Sequence, residues 1–409
     1  MDSRRVFHIA DYVIFIVTIV VSLGIGIFYA LSGGRQRTTS EFLVGNRKMS
    51  VLPVAISLMV SFESSIMMLG LPAEIYTYGI QWIMAIIGLF VADMASVKIM
   101  VPLIYPLKIT SAYEYLELRF KSRAVRLLGT FLGIMHYVFY MGIVLFGPAI
   151  ALEAVQRIAS TSSLRDAQKV LLITAPAFLV TFTFAIIEGI VAFAYYYTFR
   201  CDPLASKQIR NPNQIIPLLV MDIYRGLPGM PGLFLASLFS ASLSTLSSGL
   251  SSVSTLFWQD FIKPHTKPMS EFRATIIVKV SVVIFGSISV GIAYLVAQIG
   301  GTLTQISGTI LSSFGGALAG LFFAGCFLPW VNAKGAFSGC ITGVVFVFWI
   351  ASGKTMSPGV KKTPRLPAAP VDQCPTTNLM NDSLWVNNTS SSFKTSFMTP
   401  TMPESAIDP

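Results

Sequence analysis

Long apolar runs separated by short polar connections dominate the chain from residue 10 to residue 352. They fall at 10–31, 51–76, 80–105, 126–153, 170–199, 231–259, 275–299, 301–330 and 335–352. Each holds roughly 20 residues or more, enough for a helix to cross about 30 Å of hydrocarbon. None alternates with a period of two, so the runs predict helices rather than barrel strands, which leaves every backbone polar group satisfied inside lipid. The expected fold class is all-α: a polytopic membrane protein of about nine transmembrane helices. The first run begins at Asp11 and is longer than the apolar core of a signal peptide, so it is expected to be a span.

The pattern stops after Ser352. Residues 353–409 are rich in Pro, Ser, Thr and Asn, a composition that cannot bury enough apolar surface to fold alone, and a flexible tail is expected. Glycosylation sequons at Asn381, Asn387 and Asn388 would place that tail on the luminal or extracellular side.

Composition agrees, with 54% hydrophobic residues, 12% charged ones and a mean hydropathy of +0.69. A net charge of +10 would suit nucleic acid, but Arg and Lys crowd into the connections "GGRQRTTSEFLVGNRK" and "RFKSRAVR", where membrane topology wants them. The bilayer, not nucleic acid, is the expected partner. Cys326 and Cys340 lie in or beside spans, while Cys201 and Cys374 fall in polar segments and pair only if those share an oxidising side. No metal-ligand spacing or organic cofactor motif is present. No nucleophile, base and orienting residue share a recognisable spacing, so no enzyme is expected.

Ionisable groups inside the runs are costly in lipid and default to functional candidates. They are Glu63, Asp93, Lys98, Glu188 and Lys279. The lysines can snorkel to an interface, and Asp93 lies five residues before Lys98, a poor helical pairing. Glu63 sits in "PVAISLMVSFESSIMMLGLP", with hydroxyls around it and proline near both ends, the composition of a helix broken near the membrane midplane. Glu188 in "FTFAIIEGIVAF" has no partner nearby in sequence.

The densest polar feature is "SASLSTLSSGLSS", eight hydroxyls in the thirteen residues from Ser240 to Ser252. On a helix Ala241, Ser244, Thr245 and Ser248 share a face, offering a carbonyl and hydroxyl oxygens to a small hard cation. Close helix packing is the competing reading, because small and hydroxylated residues let membrane helices approach and bond back to their own carbonyls.

Longer motifs weigh on that choice. "ITSAYEYLELRF" at Ile109–Phe120 and "GLPGMPGLFLASLFSASLSTLSSGLSSVSTLFWQDFIKP" at Gly226–Pro264 closely resemble signatures of the sodium:solute symporter family. "DYVIFIVTIVVSLGIGIFYA", "FLVGNRKMSVLPVAISLMVSF", "LGLPAEIYTYG" and "YMGIVLFGPAIALEAV" resemble the same family, in its monocarboxylate, multivitamin and iodide branch. The resemblance implies the leucine-transporter type of inverted-repeat bundle, in which broken helices meet at the midplane. It also implies a sodium site made by the Ala241 carbonyl, the Ser244 and Thr245 hydroxyls and the Val60 and Glu63 carbonyls. Glu63 departs from the pattern, since related members generally carry an uncharged residue there.

A second departure is an omission. Relatives follow the fourth span with three more, including the second broken helix, whereas here "ALEAV" runs into "QRIASTSSLRDAQK" at Val155 and Gln156. Relatives also carry at least one more span after the sequon-bearing loop. The expected organisation is an N-terminal symporter half at 1–155 with four spans, a C-terminal half at 156–352 with five, and the tail at 353–409. Loss of three spans is expected to invert everything downstream, and nine spans cannot give both an external amino terminus and glycosylated sequons.

The function implied by the resemblance is sodium-coupled symport of small organic anions at the plasma membrane by alternating access. Monocarboxylates such as lactate, pyruvate, short-chain fatty acids or nicotinate come first, with biotin, pantothenate or iodide as alternatives. Because the missing helices normally line the substrate cavity, a non-transporting shortened form is the competing reading.

Overall fold

The computed structural model describes residues 8–31, 49–62, 66–107, 109, 111–145, 164–267, 269–296, 302–356 and 364–374. The elements are α1 (Ile9–Leu31), α2 (Val51–Phe62), α3 (Leu71–Tyr78), α4 (Ile83–Ala95), α5 (Glu114–Phe120), α6 (Arg123–Leu145) and α7 (Leu164–Thr198). They continue with α8 (Ile215–Ile223), α9 (Met230–Leu256), α10 (Glu271–Val296), α11 (Leu303–Ile310), α12 (Gly316–Phe327) and α13 (Ala333–Met356). Proline stands in the first turn of α3 and of α9, where its missing N–H costs nothing. Wide five-to-six-residue turns extend or link helices at Ile66–Gly70, Ser96–Met100, Phe257–Ile262 and Leu311–Gly315. Among the described residues the protein is helical, and eight segments are long and apolar enough to span a membrane. In the remaining expected span, 51–76, the described residues form α2 and, after the wide turn Ile66–Gly70, α3; residues 63–65 lie outside the described residues.

Burial sorts these spans. In α6, 61% of the most apolar window is buried, against 6% in α1 and in the span Ile80–Leu107. The core therefore forms around α6, which packs on α9, α10 and the wide turn before α12, with Tyr113, Leu116, Val125, Tyr137 and Met141 almost fully enclosed. The outer helices turn their apolar side chains outward, as lipid allows.

Side-chain contacts fix the directions of α1, α3, α6, α7 and α9 and the place of the start of α11. α9 starts beside Asp11, whose Oδ1 accepts from the N–H groups of Gly229 and Gly232, both at 2.9 Å, and it ends at Asp260 beside Arg126 of α6. α6 then runs from Arg126 to Ile143, which packs with Val296 and Leu303. α7 starts against Val54, Ala55 and Leu58 of α2 and finishes with Tyr196 against Tyr76. Thr302 donates to Glu74, so the far ends of α3, α6 and α7 and the start of α11 lie on one face. The starts of α1 and α9 belong to that face too.

Consecutive helices α6 and α7 thus run the same way. This corrects the expectation that everything after the join inverts: α7 and its successors keep one frame with the first half, because α7 is packed along α2 and α3 over its whole length. Val155 and Gln156 lie outside the described residues.

Part of the expected tail is ordered. Cys374 forms a disulfide with Cys201, 173 residues earlier. Leu366 N–H donates to Thr77 O at 2.9 Å, Ala369 N–H to the buried Asp202 carboxylate at 3.1 Å, and Asp202 N–H to Pro370 O at 3.2 Å. Segment 364–374 has too few apolar side chains to fold alone but borrows backbone partners from the loop after α7, which composition does not reveal. Arg200 and Asp372 add an exposed pair at 2.8 Å, whose hydrogen bond holds the Asp372 carboxyl below the usual range. The disulfide marks this face as the oxidising one. Asn381, Asn387 and Asn388 lie outside the described residues.

Asp11 is 1% exposed and caps the buried start of α9. A Cβ on Gly232 would sit 2.4 Å from the Asp11 backbone, so the two helices touch through bare main chain. Asp11→Ala strands two buried N–H donors and is expected to cost about 1–2 kcal/mol, as cap removal does. Thermal unfolding in detergent measures it, and Asp11→Asn, which keeps an acceptor, should recover most of the loss.

Candidate functional site

The hydroxyl-rich stretch is the middle of α9, and much of its chemistry is local. Ser242, Thr245, Ser247, Ser251 and Thr255 donate to carbonyls three or four residues back, at 2.7–3.0 Å. Back-bonding satisfies hydroxyls on a membrane helix without a partner helix. Back-bonding therefore accounts for four of the eight hydroxyls between Ser240 and Ser252, as the packing reading expects.

Thr245 differs in burial, at 0% exposure. Its Oγ1 donates to the Ala241 carbonyl at 3.0 Å, so two of the oxygens expected to hold a cation lie side by side. Ser244 and Ala241 are half-buried on the same face. That helix packs on α2. Val60 lies near the last described residue of α2, Phe62. Glu63 lies outside the described residues. The structure thus brings the helix of Ala241, Ser244 and Thr245 against the helix that carries Val60. The donors are oxygens, and no cluster of three His, Cys, Asp or Glu that would hold a transition metal occurs among the described residues. Such a set suits a hard cation.

The other singled-out groups separate from this face. Lys98 and Lys279 are exposed, consistent with snorkelling, and Asp93 is half-buried without an ion pair to Lys98. Glu188 projects from the outer face of α7 among exposed Phe184, Ile187 and Val191. Among the described residues none hydrogen-bonds to Glu188.

Sequence reasoning missed four buried carboxylates, counting Asp202 in the loop after α7. Asp11 is one. Glu74 is 6% exposed and accepts from Thr302 and, at 3.2 Å, from Gln305 of α11. Gly70 reinforces that crossing, since a Cβ there would meet Leu303 Cβ at 2.9 Å. Asp260 accepts from Ser111 at 2.8 Å, from Thr130 at 2.7 Å and from Arg126, whose other arm reaches Glu117 at 2.8 Å. Arg119 donates to the carbonyls of Gly325 and Leu328 at 2.8 and 2.9 Å. The two motifs that carry the family resemblance therefore interlock through Ser111 and Asp260. Burial raises the Tyr113 phenol above its usual range, with Asp260 adding to it, so Tyr113 stays protonated beside the carboxylate.

Comparison with known proteins decides the family. Residues 42–154 and 138–343 match the sodium:solute symporter family. The chain belongs to the sodium:solute symporter family. Its members are transporters, so this symporter-family chain is a multi-pass membrane protein and not an enzyme. It is 30% identical to sodium-coupled monocarboxylate transporter 1 of Mus musculus over 506 aligned positions, covering 97% of this chain and 82% of that one. The sodium/iodide cotransporter of Homo sapiens is 29% identical over 479, with 91% and 74% covered. The sodium-dependent multivitamin transporter of Oryctolagus cuniculus is 29% identical over 469, with 88% and 73% covered. A substrate-bound, outward-open Na+-coupled sialic acid symporter shares the fold at a TM-score of 0.66 and 19% identity, covering 88% of this chain and 99% of that one. The bundle is an incomplete form of the leucine-transporter fold.

The alignment with the mouse relative also measures the omission. Its 506 positions exceed the 409 residues of this chain by 97, so at least 97 positions have no residue here. The family match divides within 138–154, just before the join at Val155 and Gln156.

Proposed function

We propose that this symporter-family chain carries the sodium site of a transporter for small organic anions, with monocarboxylates such as lactate, pyruvate, short-chain fatty acids or nicotinate as substrates. The carrying observation is the pair of adjacent oxygens at Ala241 and Thr245 on a helix packed against α2. Sodium would take the Ala241 carbonyl, the Ser244 and Thr245 hydroxyls and the carbonyls of Val60 and Glu63. Neutral oxygens hold an ion firmly enough to couple it and loosely enough to release it. External sodium bridging α2 and α9 would favour an outward-facing cavity, and its inward gradient would drive release by alternating access. The proposed location is the plasma membrane.

The monocarboxylate assignment rests on the mouse relative. The iodide and multivitamin relatives are nearly as similar, so iodide, or a vitamin anion such as biotin or pantothenate, is the alternative cargo. A second reading is favoured by the positions, at least 97, that have no residue here: a non-transporting form that keeps the sodium-site helices. Uptake of labelled lactate and nicotinate by cells expressing this chain, with and without sodium and with surface protein quantified, separates them. Sodium-dependent uptake above background supports transport; background uptake with normal surface protein supports the non-transporting form.

A further inference from the structure

On the face opposite the Cys201–Cys374 disulfide, the connections α5–α6 and α9–α10 converge. Lys121, Arg123, Lys263, His265, Lys267 and Arg273 are all exposed there. Lys121 ends α5 with φ of 50°, in the left-handed region where glycine is the easy choice, so a lysine is held at a turn that points outward. Arg123 Nη2 lies 3.2 Å from His265 Nε2, and His265 Nδ1 lies 2.7 Å from the Phe261 carbonyl. A carbonyl only accepts and a guanidinium only donates, so in this arrangement the imidazole donates from Nδ1 and accepts at Nε2. Arg123 is thus held by a ring nitrogen rather than by a carboxylate.

Two of the neighbouring acids are engaged elsewhere. Asp260 and Glu117 are both spent on Arg126. Glu114 is half-buried, and Glu271, on the first turn of α10, is the exposed acid beside five exposed cations. Phe272, 71% exposed next to the patch, sits where aromatic side chains mark the membrane–water boundary. α6 and α10 both begin here, so the cations stand at the level of lipid headgroups.

We propose that this patch binds the phosphorylated headgroup of an anionic lipid in the cytoplasmic leaflet. The disulfide puts the opposite face on the oxidising side, and anionic lipids concentrate on the other. Bound headgroup phosphate would clamp the start of α6 to the end of α9.

The test uses the purified full-length chain in detergent and dioctanoyl phosphatidylinositol 4,5-bisphosphate, read by microscale thermophoresis. Lys121→Gln, Arg123→Gln, Lys263→Gln and Lys267→Gln together should weaken binding on the order of several hundredfold, since each cation near an anionic lipid is worth about fivefold. Replacing the three lysines by arginine should leave binding within about threefold, which shows that charge rather than folding is read. Lys207→Gln with Arg210→Gln and Arg365→Gln, on the disulfide face, should also leave it unchanged. Equal binding by the neutralised chain, or an equal loss in the disulfide-face variant, overturns the proposal. So does competition by free inositol trisphosphate at the same concentration as the lipid, which would make the patch a soluble phosphate site.

Discussion

Asp260→Ala is expected to lower the unfolding free energy by roughly 3–5 kcal/mol, the cost of breaking a buried ion pair from one side. The carboxylate is fully enclosed and is the common acceptor for Ser111, Thr130 and the Arg126 fork. Truncation leaves two hydroxyls and a guanidinium that is only 14% exposed without their acceptor. Glu117 keeps one arm of Arg126, which limits the loss. Asp260→Asn should fall between, because the amide retains an acceptor oxygen but not the charge. Denaturant unfolding of the purified protein in detergent measures the series. If the pair were instead solvated, Asp260→Ala would cost under about 1 kcal/mol, as exposed pairs do. Asp260→Asn combined with Arg126→Met should cost less than the sum of the two, since removing both partners leaves no buried charge behind.

That network explains what was legible in the sequence and what was not. Hydropathy located the spans because lipid imposes length and continuity on each helix separately. Ionisable residues were weighed by depth in the apolar runs, which selected Asp93, Lys98, Glu188 and Lys279. Those proved to be exposed or half-buried and without ion pairs among the described residues. The carboxylates that hold elements together, Asp11, Glu74 and Asp260, sit at span ends, where hydropathy treats a charge as ordinary. Their signal is available in another form: Ser111 and Asp260 lie inside two of the family motifs, Ile109–Phe120 and Gly226–Pro264, although nothing in one motif points to the other. The docking of 364–374 was invisible for a similar reason, because backbone hydrogen bonds to Thr77 and Asp202 leave no pattern in side chains.

Ser244→Ala with Thr245→Ala is expected to reduce sodium-dependent uptake at least tenfold, measured in a version that restores the internal segment present in relatives. Packing and ligation make opposite forecasts at Thr245, which is fully buried and fills its site. Thr245→Ser keeps the oxygen beside the Ala241 carbonyl and deletes a methyl, whereas Thr245→Val keeps the volume and deletes the oxygen. If the oxygen binds sodium, the serine variant retains uptake and the valine variant loses it. If Thr245 merely packs, the valine variant is the active one and the serine variant loses on the order of 1 kcal/mol of stability with its methyl. Ser247→Ala and Ser251→Ala, on exposed or half-exposed positions with hydroxyls turned back to their own helix, serve as controls and should transport normally. A raised sodium requirement at unchanged maximal uptake in Ser244→Ala alone would show one ligand lost from a set that still closes around the ion, since only an interaction with sodium responds to its concentration.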